Sequence, residues 1–464
     1  MAYNRPLLWT IVNAASAASL LLLSACGGGG GAGTAADSAT STTAVATDTA
    51  TPVIAATVPV RNDLANLGQQ IFGDTNLSEP RGTACVACHQ PTQGFAGNHG
   101  STIGVALGSK AGSLGMRNAP TNSYQGFIPT LSFRTADDGK TEAVGGHFWD
   151  GRADTLALQA QGPFLNPLEM NNASKQAVVN KIAAASYAGL FRQQFGANIF
   201  ADTDTAYAQI GVAIEAFERA ALQPFTSKYD AVVRHTATFT PGEARGMALF
   251  MDPNRANCSG CHLMDPTTGK PEDSLFSEFT YYATGIPRNT AIPVNADPSF
   301  FDLGLCGPAR TAPVLPADVV PGTTIDNFCG KFKMPTLRNV AERPNFMHNG
   351  FFNNLNEVVR FYSTRNTNPQ HWYGPSGVPN DLPAKYRGNI ESTEAPFNRA
   401  ATAGPLLSEP EINDIVAFLH TLSDGFNPNA PTPGGPAGTP PPPAPPAPPA
   451  PPAPPAPPPR PLNQ

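Results

Sequence analysis

The sequence has no excess of basic residues. Its 29 Lys and Arg face 35 Asp and Glu, a formal net charge of −6 over 464 residues. That mild acidity argues against nucleic acid as a partner. It hints, weakly, that a protein partner would be basic. Strand patterns are scarce, so the expected fold is mainly α with long loops. The apolar run around Leu20-Leu21-Leu22-Leu23 is too short for a transmembrane helix. Cysteine is sparse, seven residues in all. No thioredoxin-like βαβ pattern surrounds a Cys-x-x-Cys pair, which counts against a redox dithiol.

What is present at the ends is simple. Arg5, the apolar run and Leu23-Ser24-Ala25-Cys26 read as an export signal over residues 1–26. Small residues before Cys26 resemble a bacterial lipobox, which would lipidate that cysteine and anchor the chain to a bacterial membrane on the periplasmic side. An ordinary cleaved signal peptide, with Cys26 incidental, is the alternative. Residues 27–60 are Gly, Ala, Thr and Ser and read as a flexible tether. Residues 427–464 are Pro and Ala repeats and read as a disordered, extended tail.

Two Cys-x-x-Cys-His motifs lie between the ends: Cys85-Val86-Ala87-Cys88-His89 and Cys258-Ser259-Gly260-Cys261-His262. Two cysteines three apart can form thioethers to the vinyl groups of one haem, and the following histidine then faces its iron. Zinc knuckles do not require the trailing histidine. The chain is therefore expected to carry two covalent haems c. Cys306 and Cys329 remain over, and an oxidising compartment would let them pair.

The pattern is duplicated. Gly68-Gln69-Gln70-Ile71-Phe72 precedes the first motif and Gly246-Met247-Ala248-Leu249-Phe250 the second. Two cytochrome-c-like haem domains are expected, over residues 61–239 and 240–426. A helix is expected through Ile210, Ile214, Phe217 and Leu222, ending before Pro224. Thr240 should cap a helix starting at Pro241. Another amphipathic helix is expected over Glu409 to Ser423.

Further segments carry a family resemblance. They are Phe148-Trp149-Asp150-Gly151-Arg152, Gln159-Ala160-Gln161-Gly162-Pro163, Asn166-Pro167-Leu168-Glu169-Met170, Arg117-Asn118-Ala119-Pro120-Thr121, Pro335-Thr336-Leu337-Arg338-Asn339-Val340 and Met347-His348-Asn349-Gly350. Together with the haem motifs they resemble the bacterial di-haem cytochrome c peroxidase and MauG family over about residues 61 to 425. The resemblance implies that Glu169 is the distal acid–base carboxylate, that Gln159 holds the peroxide, and that Trp149 relays electrons between the haems. It implies hydrogen peroxide as oxidant, and a cytochrome c, another small redox protein or a protein substrate as partner. It also implies that homodimers occur and that Asn118 contributes to a calcium site, with carbonyls near Arg343 and Asn345. The usual Thr-Ala-Pro sequence is absent there.

Two departures point to a MauG-like variant. Many peroxidases block the first iron with a histidine in a Ser-x-Gly-His segment, whereas Thr102-Ile103-Gly104-Val105 stands here. His99, upstream, is the candidate substitute. The second iron's distal ligand is methionine in typical peroxidases and tyrosine in MauG, and the matching position is Tyr362, with Met347 as the rival. A tyrosinate would lower the potential that a thioether raises. A pure electron-transfer cytochrome with both irons six-coordinate is the alternative function.

Overall fold

The computed structural model describes residues 62–311 and 315–429. The expectations for the signal segment with Cys26, the tether and nearly all of the proline-rich tail lie outside the described residues. The described residues all belong to one compact unit. No helix among the described residues is long and apolar enough to cross a membrane.

The first half is built on α1 (Asp63–Gly73), the short α2 (Cys85–Cys88), α3 (Leu156–Leu165), α4 (Lys175–Ala183), α5 (Ala188–Phe195) and α6 (Thr203–Ala221). The apolar stripe expected around Ile210 lies on α6, whose buried face also includes Ala206, Tyr207 and Ala213. This face packs on α1 and α3. Leu222 caps the helix two residues before Pro224.

The second half holds α7 (Lys228–Val233), α8 (Pro241–Met251), α9 (Leu355–Thr364), α10 (Pro369–Tyr373) and α11 (Glu409–His420). Thr240 caps α8 as expected, in a capping box with Glu243 and with Pro241 in the first turn. α11 begins at Glu409 and ends at His420, short of Ser423, because Thr421 turns its hydroxyl back to the Phe418 carbonyl. Each half has its own apolar core, one from Leu67 to Leu222 and one from Tyr229 to Leu422. Two antiparallel ribbons link them: β1 (Ser132–Thr135) with β2 (Thr141–Val144), and β3 (Tyr281–Tyr282) with β4 (Phe332–Lys333). A bridge from Val144 to Thr280 joins the ribbons. Cys306 and Cys329 form the disulfide, 23 residues apart.

The duplication runs far deeper than the sequence motifs. α1 crosses α6 at Gly68, where any Cβ would fall onto the Ala213 carbonyl and the Phe217 side chain. α8 crosses α11 at Gly246, where a Cβ would meet the Asp414 carbonyl and the Phe418 side chain. Glycine is needed at both because the helices touch backbone to backbone. α3 and α9 also correspond. Leu156, Ala160 and Phe164 are buried after the Thr155 cap, and Leu355, Val359 and Ser363 after the Asn354 cap. In that register Tyr362 falls on Pro163.

Candidate active site

Each half shapes one cavity, and each cavity is lined by one Cys-x-x-Cys-His motif. The first holds Cys85, Cys88 and His89, with about 1280 Å³ of space. The second holds Cys258, Cys261 and His262, with about 1870 Å³.

The histidines are oriented alike. His89 Nδ1 lies 3.1 Å from the Phe95 carbonyl, and His262 Nδ1 lies 2.9 Å from the Phe276 carbonyl. A carbonyl can only accept, so Nδ1 carries the proton and Nε2 keeps a lone pair for a metal. Burial lowers both pKa values, that of His262 to about 4, so both rings are neutral with Nε2 free to bind a metal. The carbonyls are held by twin devices. Phe95 and Phe276 both have φ of 54°. Thr121 donates to the Gly94 carbonyl at 2.5 Å and Thr336 to the Leu275 carbonyl at 2.6 Å. Burial keeps all four motif thiols protonated, at about 12. Thiols, neutral imidazoles and large apolar walls fit a covalently attached haem in each cavity.

The first cavity contains the carboxyl expected there. Glu169 lines it, reached through the turn that follows α3. Asn166 caps α3 and donates its Nδ2 to Glu169 Oε1 at 2.8 Å. Burial raises the carboxyl's pKa, against the opposing pull of Arg152 and Asn166. Gln159 and Pro163 also line this cavity from α3.

The segment lacking the blocking histidine is tightly docked. Gly104 and Gly350 press backbone against backbone, leaving no room for a Cβ on either. Val105 is fully buried. Beyond it, Ser109 N–H donates to the Glu169 carbonyl at 2.7 Å and Ser109 Oγ to the Glu79 carbonyl at 2.9 Å. Ala106 and Leu107 are what this loop offers the cavity, along with Met116. His99 does not line it; its Nδ1 is taken by the Leu107 carbonyl at 2.8 Å.

Trp149, Asn118, Ala119 and Pro120 line both cavities. The Trp149 indole N–H donates to the Asn118 carbonyl at 2.8 Å. The Asn118 amide reaches the carbonyls of Asn345 at 3.1 Å and Met347 at 3.2 Å. Asn345 is thus where it was expected, and Met347 takes the place expected near Arg343. Tyr362 lines the second cavity from α9; Met347 lines it too, from the loop before that helix.

Three groups had no signal in the motifs. Met116 is one. Glu218, on α6, is 2% exposed and lines the first cavity. Asn122 donates to its Oε1 at 2.5 Å, and Oε2 has no partner. The third is the pair Lys333 and Arg343 in the second cavity.

The comparisons with known proteins agree with this geometry. A family profile described as di-haem cytochrome c peroxidase matches residues 62–238. The methylamine utilization protein MauG of Paracoccus denitrificans is 34% identical over 379 residues, covering 79% of this chain and 90% of that protein. The chain belongs to the di-haem cytochrome c peroxidase and MauG family. The crystal structure of the diheme peroxidase BthA from Burkholderia thailandensis superposes with a TM-score of 0.71 at 39% identity, covering 78% of this chain and 86% of that one. The cytochrome c551 peroxidase of Pseudomonas aeruginosa is 25% identical, covering 79% of this chain and 80% of that protein. The protein is thus a peroxidase-like di-haem oxidoreductase, and its family implies two c-type haems.

Proposed function

We propose that this protein is a MauG-like enzyme that reacts with hydrogen peroxide at the His89 haem and exchanges electrons through the His262 haem. The partner is a periplasmic redox protein or an oxidisable substrate, met at a membrane to which Cys26 anchors the chain. The observation that carries this reading is Glu169, a half-buried carboxyl that lines the first cavity. When bound, the haem supplies an iron that takes up two oxidising equivalents from peroxide. Glu169 takes a proton from the inner peroxide oxygen and returns it to the outer one, so that water leaves. Gln159 holds the peroxide by its amide. Asn166 fixes the Glu169 rotamer, and burial keeps its affinity for the proton high.

The internal repeat supports an open first iron. The helix position that offers Tyr362 to the second cavity offers Pro163 to the first, and proline has no ligating atom. Tyr362, which lines the second cavity, would hold the second iron together with His262. Burial alone resists ionisation of its phenol, and a ferric ion would supply the opposing charge. Trp149, shared by both cavities, carries charge between them. Asn118, with the Asn345 and Met347 carbonyls, forms part of a calcium site. Rotating the amide turns Oδ1 towards those two oxygens, and a cation between them would relieve the repulsion.

Met116 favours the rival reading, an electron carrier, because its thioether lines the first cavity and can fill the sixth position. EPR of the ferric protein before and after peroxide decides between them. The enzyme reading expects a high-spin signal that peroxide abolishes without prior reduction. In E169Q that reaction should slow by about 10²–10⁴-fold. A wholly low-spin protein inert to peroxide would sink it.

A further inference from the structure

The two cavities differ in charge in a way that neither the motifs nor the distal residues describe. The cations at the first cavity are already neutralised. Arg117 pairs with Asp302 at 2.6 Å and with Asp150 at 2.8 Å, and Arg152 shares Asp150 at 2.8 Å. Asp302, Asp381, Glu391 and Glu394 also line the second cavity, yet its two cations are not paired with them. Lys333 is 6% exposed and, among the described residues, has no carboxylate within salt-bridge distance; its ammonium lies 5.7 Å from the Phe279 ring. Arg343 spends one nitrogen on the Thr336 and Arg338 carbonyls, at 2.9 and 2.5 Å, and its buried Nε has no partner. His348 is 5% exposed and stacks on Phe332 at 3.6 Å. Its Nε2 faces Asp381 at 3.2 Å, while its Nδ1 is buried and unpartnered. All three side chains line the same cavity.

A buried cation without a counter-charge costs several kcal/mol. Two together describe a site built for an anion. The dianionic edge of a tetrapyrrole supplies two carboxylates.

We propose that Lys333 and Arg343 form an anion-binding wall, beside the Phe332–His348 stack, that holds the two propionates of the His262 haem and raises that haem's reduction potential. The assignment rests on the reading that Cys258 and Cys261 attach a haem. Lys333 and Arg343 act as positioning residues through the cofactor's periphery. Their charge stabilises the reduced iron, which carries one positive charge less, and so offsets part of the lowering that Tyr362 brings. Lys333 also fixes the wall to the residue shared by both cavities, since its backbone N–H donates to the Trp149 carbonyl at 2.8 Å.

The test uses the full-length holoprotein and the variants K333M, R343M, K333R and R343K. Haem content is measured by the pyridine haemochrome, and each haem's midpoint potential by spectroelectrochemistry. Two haems in the wild type establish the underlying reading separately. K333M and R343M should each shift the His262 haem towards the oxidised form by about tenfold at fixed potential, which is ~59 mV for one electron. The His89 haem should move less, and K333R and R343K should restore the wild-type value. Loss of the second haem in the Met variants alone also supports the charged wall. Wild-type potentials in fully loaded K333M and R343M would overturn it. So would loss of the second haem in all four variants, because shape rather than charge would then be at stake.

Discussion

Glu218 and Asn122 occupy, in the first half, the places that Leu419 and Leu337 hold in the second, as the paired positions Phe217 and Phe418, and Thr121 and Thr336, show. An acid has replaced a leucine inside a haem cavity. Burial raises the Glu218 carboxyl from its ordinary 4.5 to about 8. The folded protein therefore keeps a proton that the unfolded chain releases. The stability this group contributes is complete below pH 4.5 and is lost as the pH rises towards about 8. E218Q should remove that slope, so its advantage over wild type in chemical denaturation should grow from about pH 5 to about pH 8. Parallel profiles would show that another group titrates. Tyr362 invites a second substitution. Y362F deletes the oxygen and keeps the ring, so the low-spin haem's spectrum should change and its midpoint potential should rise. An unchanged spectrum would exclude ligation by this residue.

The helical elements are where sequence and structure coincide. The stripe through Ile210, the Thr240 cap and the Glu409 helix are local patterns, and helices form from local contacts. The two Cys-x-x-Cys-His turns are legible for the same reason. The ribbons were not. β3 and β4 are two residues each and pair Tyr281 with Lys333 across a long separation, so neither carries a period to read. Lys333 and Arg343 leave no sequence signal either, because a lysine in a two-residue strand looks like solvent-facing charge. Glu218 was equally opaque: it sits in an ordinary amphipathic helix beside Arg219. The helix crossings make a prediction of their own. G68A and G246A should each destabilise by about 1–3 kcal/mol, since the added methyl meets backbone and cannot be relieved by a rotamer change. The unfolding midpoint in denaturant measures this. A neutral result at Gly246 would mean that α8 and α11 can part without loss.

Across the whole molecule, the halves are bound by charge, and one covalent bond closes a loop within the second half. Arg117, from the first half, holds Asp302, from the long segment that also contains the Cys306–Cys329 disulfide. Arg310 in that segment donates to the Asp150 carbonyl at 3.3 Å. The disulfide closes a loop of 23 residues, for which chain-entropy reasoning gives about 3 kcal/mol. The double variant C306S/C329S should lose that much, and reductant should lower the wild type's thermal midpoint but not the variant's. An equal response of both proteins to reductant would place the effect elsewhere. The duplicated frame has a consequence of another kind. The same crossing glycines, left-handed phenylalanines and threonine clasps recur in both halves, so the frame is held in common. The faces presented to the two cavities then differ by what hangs at single positions such as 163 and 362. A lineage with this build can retask one half by editing an attachment, leaving the shared casting untouched.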